Sequence, residues 1–162
     1  ENGLNLAKIY NVKTPILKVG NWIGPLLVDA ALKNVSTVIL FGYHGKLIKL
    51  AGGIFHTHNH LADGRIEILV YLAVKEKIPH EIIVKLTYLK NLEDALLILE
   101  RFNKSKAEKL FQNLANTIEK RSFSYVNRYV KTDMEIAAIV FDRKRKIRWS
   151  GTNGSDYISY FQ

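Results

Sequence analysis

The chain contains no cysteine. That excludes disulfides, zinc ribbons, iron–sulfur clusters and a thiolate nucleophile together, and it points to a cytoplasmic setting. Long apolar runs are missing too. The longest candidate, Ile23 to Leu32, is interrupted by Gly24, Pro25 and Asp29, and falls well short of the roughly 18–20 residues a membrane helix needs. No basic–apolar–cleavage pattern opens the chain, so no secretory signal is expected. The first residue is Glu1, not Met, and the start of the natural chain is expected to lie elsewhere. Acidic residues are scarce relative to basic ones, 15 against 24, leaving a net charge of +9. An anionic partner follows: nucleic acid, an acidic membrane, or a small molecule rich in carboxylates or phosphates.

What is present suffices for a globular core. Apolar residues make up 48 % of 162, and that length suits one domain, read here as residues 1–150 with a polar tail at 151–162. The tail is glycine-rich and is assigned no structure. Ile16–Val19 (ILKV) reads as a short strand ending at Gly20. Apolar residues spaced by four from Trp22 to Lys33 predict a helix, with Pro25 in its first turn. Thr37–Phe41 (TVILF) is the clearest strand, β-branched and apolar throughout, hence expected to be buried on both faces. Strand, helix and buried strand make a βαβ unit. The expected fold is α/β, a mostly parallel sheet of βαβ units with flanking helices and a carboxyl-terminal β-hairpin.

Further helices are predicted at Lys46–Phe55 and at Ala62–Lys77, the latter capped by Asp63 and ended by Pro79. Others follow at Glu81–Tyr88, at Leu92–Phe102 behind an Asn91 cap, and from Ser105 to about Tyr125 behind a Ser105–Glu108 capping box. Met134–Phe141 (MEIAAIVF) is a second buried-type strand, and Lys146–Trp149 pairs with it across Asp142–Arg145.

Two glycine turns carry the first functional signal. FGYHGK follows the central strand, where open α/β sheets bind ligands. A helix start there offers unpaired N–H groups to an anion, and Lys46 and Lys49 add cations. Gly42 and Gly45 let the backbone approach a ligand. It is not a P-loop, because Leu47 rather than Ser or Thr follows Lys46. A tight turn with no ligand explains it equally well. GNWIGP, residues 20–25, is the second turn. If its strand neighbours Thr37–Phe41, both turns open on one sheet edge and Asn21 faces the crevice; otherwise Asn21 caps its helix.

The second signal is histidine. Four of five fall between His44 and His60. His56, His58 and His60 alternate, which on a strand would look like a metal site, with Asp63 or Glu67 as a carboxylate. The stretch lies between two helical patterns, however, and no second cluster completes the site, so no metal is assigned. In the other reading the imidazoles and Arg65 line a pocket, donating to carboxylates or moving a proton. The basic run DRKRKIR, 142–148, lacks the interleaved aromatics of an RNA-binding surface. It reads as a solvated hairpin turn, and no nucleic acid is expected.

With GNWIGP (20–25) and VILFGYHGKLIKLAGGIFHTHNHLADGRIE (38–67) in place, the chain resembles the CbiD family of cobalamin biosynthesis, the cobalt-precorrin-5B C1-methyltransferases. The helical stretch and final hairpin follow the family's order with looser similarity. Only the carboxyl-terminal half of the family pattern is covered, which implies a piece of a longer enzyme whose amino-terminal half is a partner. The resemblance implies methyl transfer from S-adenosylmethionine to C1 of a polycarboxylate corrinoid precursor, with cobalt arriving only inside that substrate. Given that chemistry, sequence position and residue type suggest Gly20, Asn21, Gly42, His44 and Gly45 at the methyl donor, and Lys46, Lys49, His56 and Arg65 on substrate carboxylates. His58 and Asp63 are the candidate proton-handling residues. A homo-oligomer, a metal-dependent hydrolase built on H-x-H-x-H, and a non-catalytic anion or nucleic-acid binding module stay open.

Overall fold

The computed structural model describes residues 2–10 and 12–161. Its sheet has three strands in the order β1-β2-β3. β1 (Thr37–Tyr43) and β2 (Glu135–Phe141) run parallel in an unbroken register, Thr37 opposite Glu135 and Tyr43 opposite Phe141. β3 (Ile147–Ser150) returns antiparallel to β2. The fold is α/β as expected, but the sheet is small and mixed, not a mostly parallel array of βαβ units. The expected first strand accounts for the difference. Ile16–Val19 adopts no strand, and Ile16 and Leu17 stand exposed; an apolar run of four with a lysine inside it lacks a partner strand.

One crossover joins β1 to β2, and it holds most of the helices. α1 (Asn2–Ile9) and α2 (Ile23–Leu32) precede β1; α3 (His44–Ala51), α4 (Arg65–Lys75), α5 (His80–Thr87) and the long α6 (Leu92–Val126) follow it. None among the described residues is long and apolar enough to cross a membrane. The alternation of β2 sorts the core. Ile136, Ala138 and Val140 join the main cluster with Leu110, Leu114 and Ile118 of α6 and with Ile48 and Leu50 of α3. The intervening Ala137, Ile139 and Phe141 are buried on the opposite side, where Phe41 lies against Phe141 and Phe161. β2 is therefore buried on both faces. β1, at the sheet edge, is only half-buried, against expectation.

Caps explain three boundaries. Asn91 accepts from the Asp94 N–H at 2.9 Å, as predicted. Inside α6 the chain breaks at Asn103 (φ −164°, ψ 106°), whose Oδ1 accepts from the Lys106 N–H at 2.9 Å. The cap of the second segment is thus Asn103, not Ser105. Glu108 does not close a capping box: its carboxylate takes the Arg148 guanidinium and the Trp149 indole N–H. At α4, Gly64 in the left-handed region (φ 60°) sits at the cap position, and Asp63, one residue before it, is held by the Arg65 guanidinium.

The segment after Gly151 is ordered. α7 (Thr152–Tyr157) packs on β2, and a short 3₁₀ helix (Ile158–Phe161) follows it, laying Phe161 against Phe41 of β1. Glu119, 6 % exposed, anchors it. Its carboxylate accepts from the backbone N–H groups of Ala138 (3.0 Å), Asn153 (3.1 Å) and Gly154 (2.8 Å). One side chain of α6 thereby joins the middle of β2 to the tail. Glu119→Ala leaves three backbone donors unpaired, two of them buried and that of Asn153 half-buried, and urea unfolding should show a loss of about 3 kcal/mol.

Candidate functional site

The two glycine corners meet without the strand that was expected to align them. Trp22 and His56 form an isolated antiparallel bridge, flanked by Gly24 N–H to Phe55 C=O at 3.1 Å and Thr57 N–H to Asn21 C=O at 3.0 Å. A third link comes from α3, where Lys46 Nζ donates to the Gly20 carbonyl at 2.8 Å. A pocket of about 470 Å³ opens at this junction, within the range of small-molecule sites. Asn21, Gly45, Lys46, Lys49, His58 and Arg65 line it, together with Tyr43, Thr57, Asn59 and His60.

Lys49 builds the wall. It is 1 % exposed, and its ammonium donates to Thr57 C=O (3.1 Å), Asn59 Oδ1 (2.7 Å) and Ala62 C=O (2.8 Å). All three donors of an ammonium are thereby used. α3 holds the histidine loop through this one group, and Lys49 itself lines the pocket. Burial pushes the Lys49 pKa down, opposed by Asp63; burial also lowers that of Lys46. Gly45 must be small here, since a Cβ would strike the Tyr43 ring.

The remaining sequence-predicted residues stand behind or beside the pocket. Gly42 packs against Leu47 within β1. His44 is fully buried at the start of α3, its ring near Phe111 and Trp149. Its Nε2 meets Glu93 Oε1 at 2.9 Å, and the same oxygen accepts from the Tyr43 hydroxyl at 2.7 Å. His56 lies edge-on to Trp22 with ring centroids 4.5 Å apart. Asp63 faces a neighbouring cleft that shares Arg65 with the pocket. There it grips that guanidinium twice, at 2.5 and 2.7 Å. The paired hydrogen bonds from Arg65 hold the Asp63 carboxyl below the usual range, which makes it a weak base.

The histidines do not converge. His58 and His60 stack on each other in the exposed loop, centroids 4.9 Å apart, while His56 turns to Trp22. Among the described residues no three His, Asp or Glu side chains are grouped to hold a metal ion. Sequence reasoning missed Tyr43, Thr57, Asn59 and Glu93. Tyr43 sits inside the glycine motif and was within reach; Glu93 lies fifty positions away from it and gave no local signal.

These features define a class: an α/β domain with a basic, glycine-cornered pocket just beyond the carboxyl end of a parallel strand. The profile of "CbiD, C-terminal domain" matches residues 56–152, and the chain belongs to the CbiD family. It is 82 % identical over 162 residues to the cobalt-precorrin-5B C(1)-methyltransferase of Prochlorococcus marinus strain MIT 9312 and 78 % identical to that of strain MIT 9215, covering all of this chain and 44 % of each relative. To the same-named protein of strain NATL1A it is 51 % identical over 160 residues, 98 % of this chain and 42 % of the relative. The chain thus spans less than half the length of these relatives. No solved structure matches it.

Two outcomes follow from the wall. Lys49→Met keeps the hydrocarbon stem but removes the three donors, so backbone amides in 57–62 should exchange at least about tenfold faster while the helices persist. His44 gives a pH dependence. With Nε2–H donating to Glu93, the buried Nδ1 has no partner, and a proton placed there would find no acceptor. Burial accordingly lowers its pKa from 6.5, against the pull of Glu93. Unfolded His44 takes a proton that folded His44 refuses, so its contribution is complete above the unfolded value and lost as pH falls below it. An NMR titration should show the His44 ring still neutral at its ordinary midpoint.

Proposed function

We propose that this chain is part of an S-adenosylmethionine-dependent methyltransferase acting at C1 of cobalt-precorrin-5B, in the anaerobic route to cobalamin, and that the pocket grips the corrinoid substrate. The carrying observation is the convergence of Lys46, Lys49 and Arg65 on one pocket in a chain whose relatives bear that enzyme's name. The substrate is a macrocycle fringed with acetate and propionate groups. Cations fixed on α3 and at the start of α4 are the complement such a ring requires. Cobalt enters as part of the substrate.

The methyl donor supplies an electrophilic methyl on a sulfonium. The residues present fit its carboxylate and its uncharged portions, with Asn21, Tyr43 and Gly45 at hand. They do not fit the sulfonium itself, which gains nothing beside Lys46 and Arg65. The chain's part in the reaction is chiefly to hold and orient the ring and exclude water. Lys46 and Arg65 take carboxylates, and Asp63 fixes the Arg65 fork. His58, exposed in the loop wall, is placed to accept or relay a proton from the ring system. His44, His56, Gly20 and Gly42 act from behind the wall, shaping it. The setting that goes with this chemistry is cytoplasmic.

Calorimetry with S-adenosylhomocysteine tests the division of labour. Heat should appear only with the full-length enzyme, and binding by this chain alone would place the donor site wholly within it. His58→Ala and Arg65→Ala in the full-length enzyme should each reduce corrinoid methylation by at least about a hundredfold. Full activity of both would overturn the assignment.

A further inference from the structure

The basic hairpin looked like a solvated turn in the sequence, yet its strand brings it to the functional end of the sheet. Tyr43, which lines the pocket, is the last residue of β1 and stands opposite Phe141, the last residue of β2. Two residues further on is Arg143. Because the strands are parallel, the hairpin leaves β2 on the same side on which the glycine turn leaves β1.

The turn is built, not loose. Asp142, 8 % exposed, accepts from the Lys146 N–H at 3.0 Å through Oδ1. Its backbone N–H donates to Lys146 C=O at 3.0 Å, and its carbonyl accepts from Arg145 N–H at 3.0 Å. Arg145 turns the corner at φ 63°. Arg143 and Lys144, both exposed, are thus carried on a fixed frame. The Tyr43 hydroxyl feels the Arg143 charge, which eases the ionisation that burial and Glu93 oppose; the guanidinium therefore lies within electrostatic reach of the pocket wall.

We propose that Arg143 and Lys144 form a second carboxylate-binding arm at the pocket mouth, gripping the acidic side chains of a corrinoid whose opposite rim is held by Lys46 and Arg65. This rests on the corrinoid reading above and adds a site that reading does not contain. Carboxylates around the whole circumference of a ring need cations on more than one side. Placing them on a separate hairpin lets the ring seat between two arms, with neither distorting the other.

The probes are cobyrinic acid, a corrinoid polycarboxylate, and cobinamide, whose side chains are amides. Binding of each is measured with the full-length enzyme and with its Arg143→Ala/Lys144→Ala variant across a salt series. The expected result is cobyrinic acid weakened at least about tenfold, with a shallower salt dependence, while cobinamide and S-adenosylhomocysteine are unchanged. Equal losses for both corrinoids would overturn the arm, as would an unaltered preference for cobyrinic acid in the variant. A parent enzyme that binds cobyrinic acid no better than cobinamide would overturn the corrinoid reading and the arm with it.

Discussion

A single buried ammonium holds the site open. Burying a lysine costs several kcal/mol unless every donor is met, and Lys49 meets that condition only when residues 57 to 62 fold back over α3. The loop carrying His58 and His60 has little else to fix it. It is exposed, short of apolar side chains, and flanked by Gly52, Gly53 and Gly64. Asn21 then docks on Thr57, and the first glycine corner is brought to the second. The apposition that a parallel strand at 16–19 was expected to provide is supplied instead by this lysine and by the Trp22–His56 bridge.

The second organising element is the pair of strand ends. β1 and β2 are parallel and in register to their last residues, so whatever follows each strand emerges at the same level. After β1 comes the glycine turn with Lys46 and Lys49; after β2 comes the hairpin with Arg143 and Lys144. Residues a hundred positions apart thereby share one rim. Beneath it, Glu93 binds both Tyr43 and His44, tying the pocket's aromatic wall to α6, and Trp149 of β3 packs on Phe111 behind them.

Much of this was legible in the residues, and the failures have physical causes. Strong periodicity located α3, α4, α5 and both segments of α6, because each has a clear apolar face. TVILF and EIAAIVF announced strands, but burial on both faces came true only for EIAAIVF; which strand becomes central depends on neighbours, not on composition. Ile16–Val19 misled because an apolar run of four carries no information about pairing. Ser105 and Asn103 are equally good caps in isolation, and the break fell where the two segments of α6 needed to bend. The tail seemed structureless because its anchor, Glu119, lies more than thirty residues away and Gly154 is required only by close approach to Ala138. In the site, the turns and the loop were visible as a cluster, whereas the inward direction of His44 and the pairing of Asp63 with Arg65 were not.

Charge makes the final distinction among the candidate ligands. A pocket whose ionisable lining is two lysines, an arginine, two histidines and a tyrosine, with the Asp63 carboxylate engaged by that arginine, favours anions. An acidic macrocycle gains from each contact, and a sulfonium gains from none. On the proposed reading, the two reactants must then meet across a boundary: this chain presents the ring by its carboxylates, and a less basic surface presents the methyl. Such an arrangement also keeps the electrophile away from the imidazoles of His58 and His60, which line the pocket. On that same reading, a basic wall would serve selectivity as well as affinity, attracting an acidic acceptor and repelling a cationic donor from the protein's own nitrogen atoms.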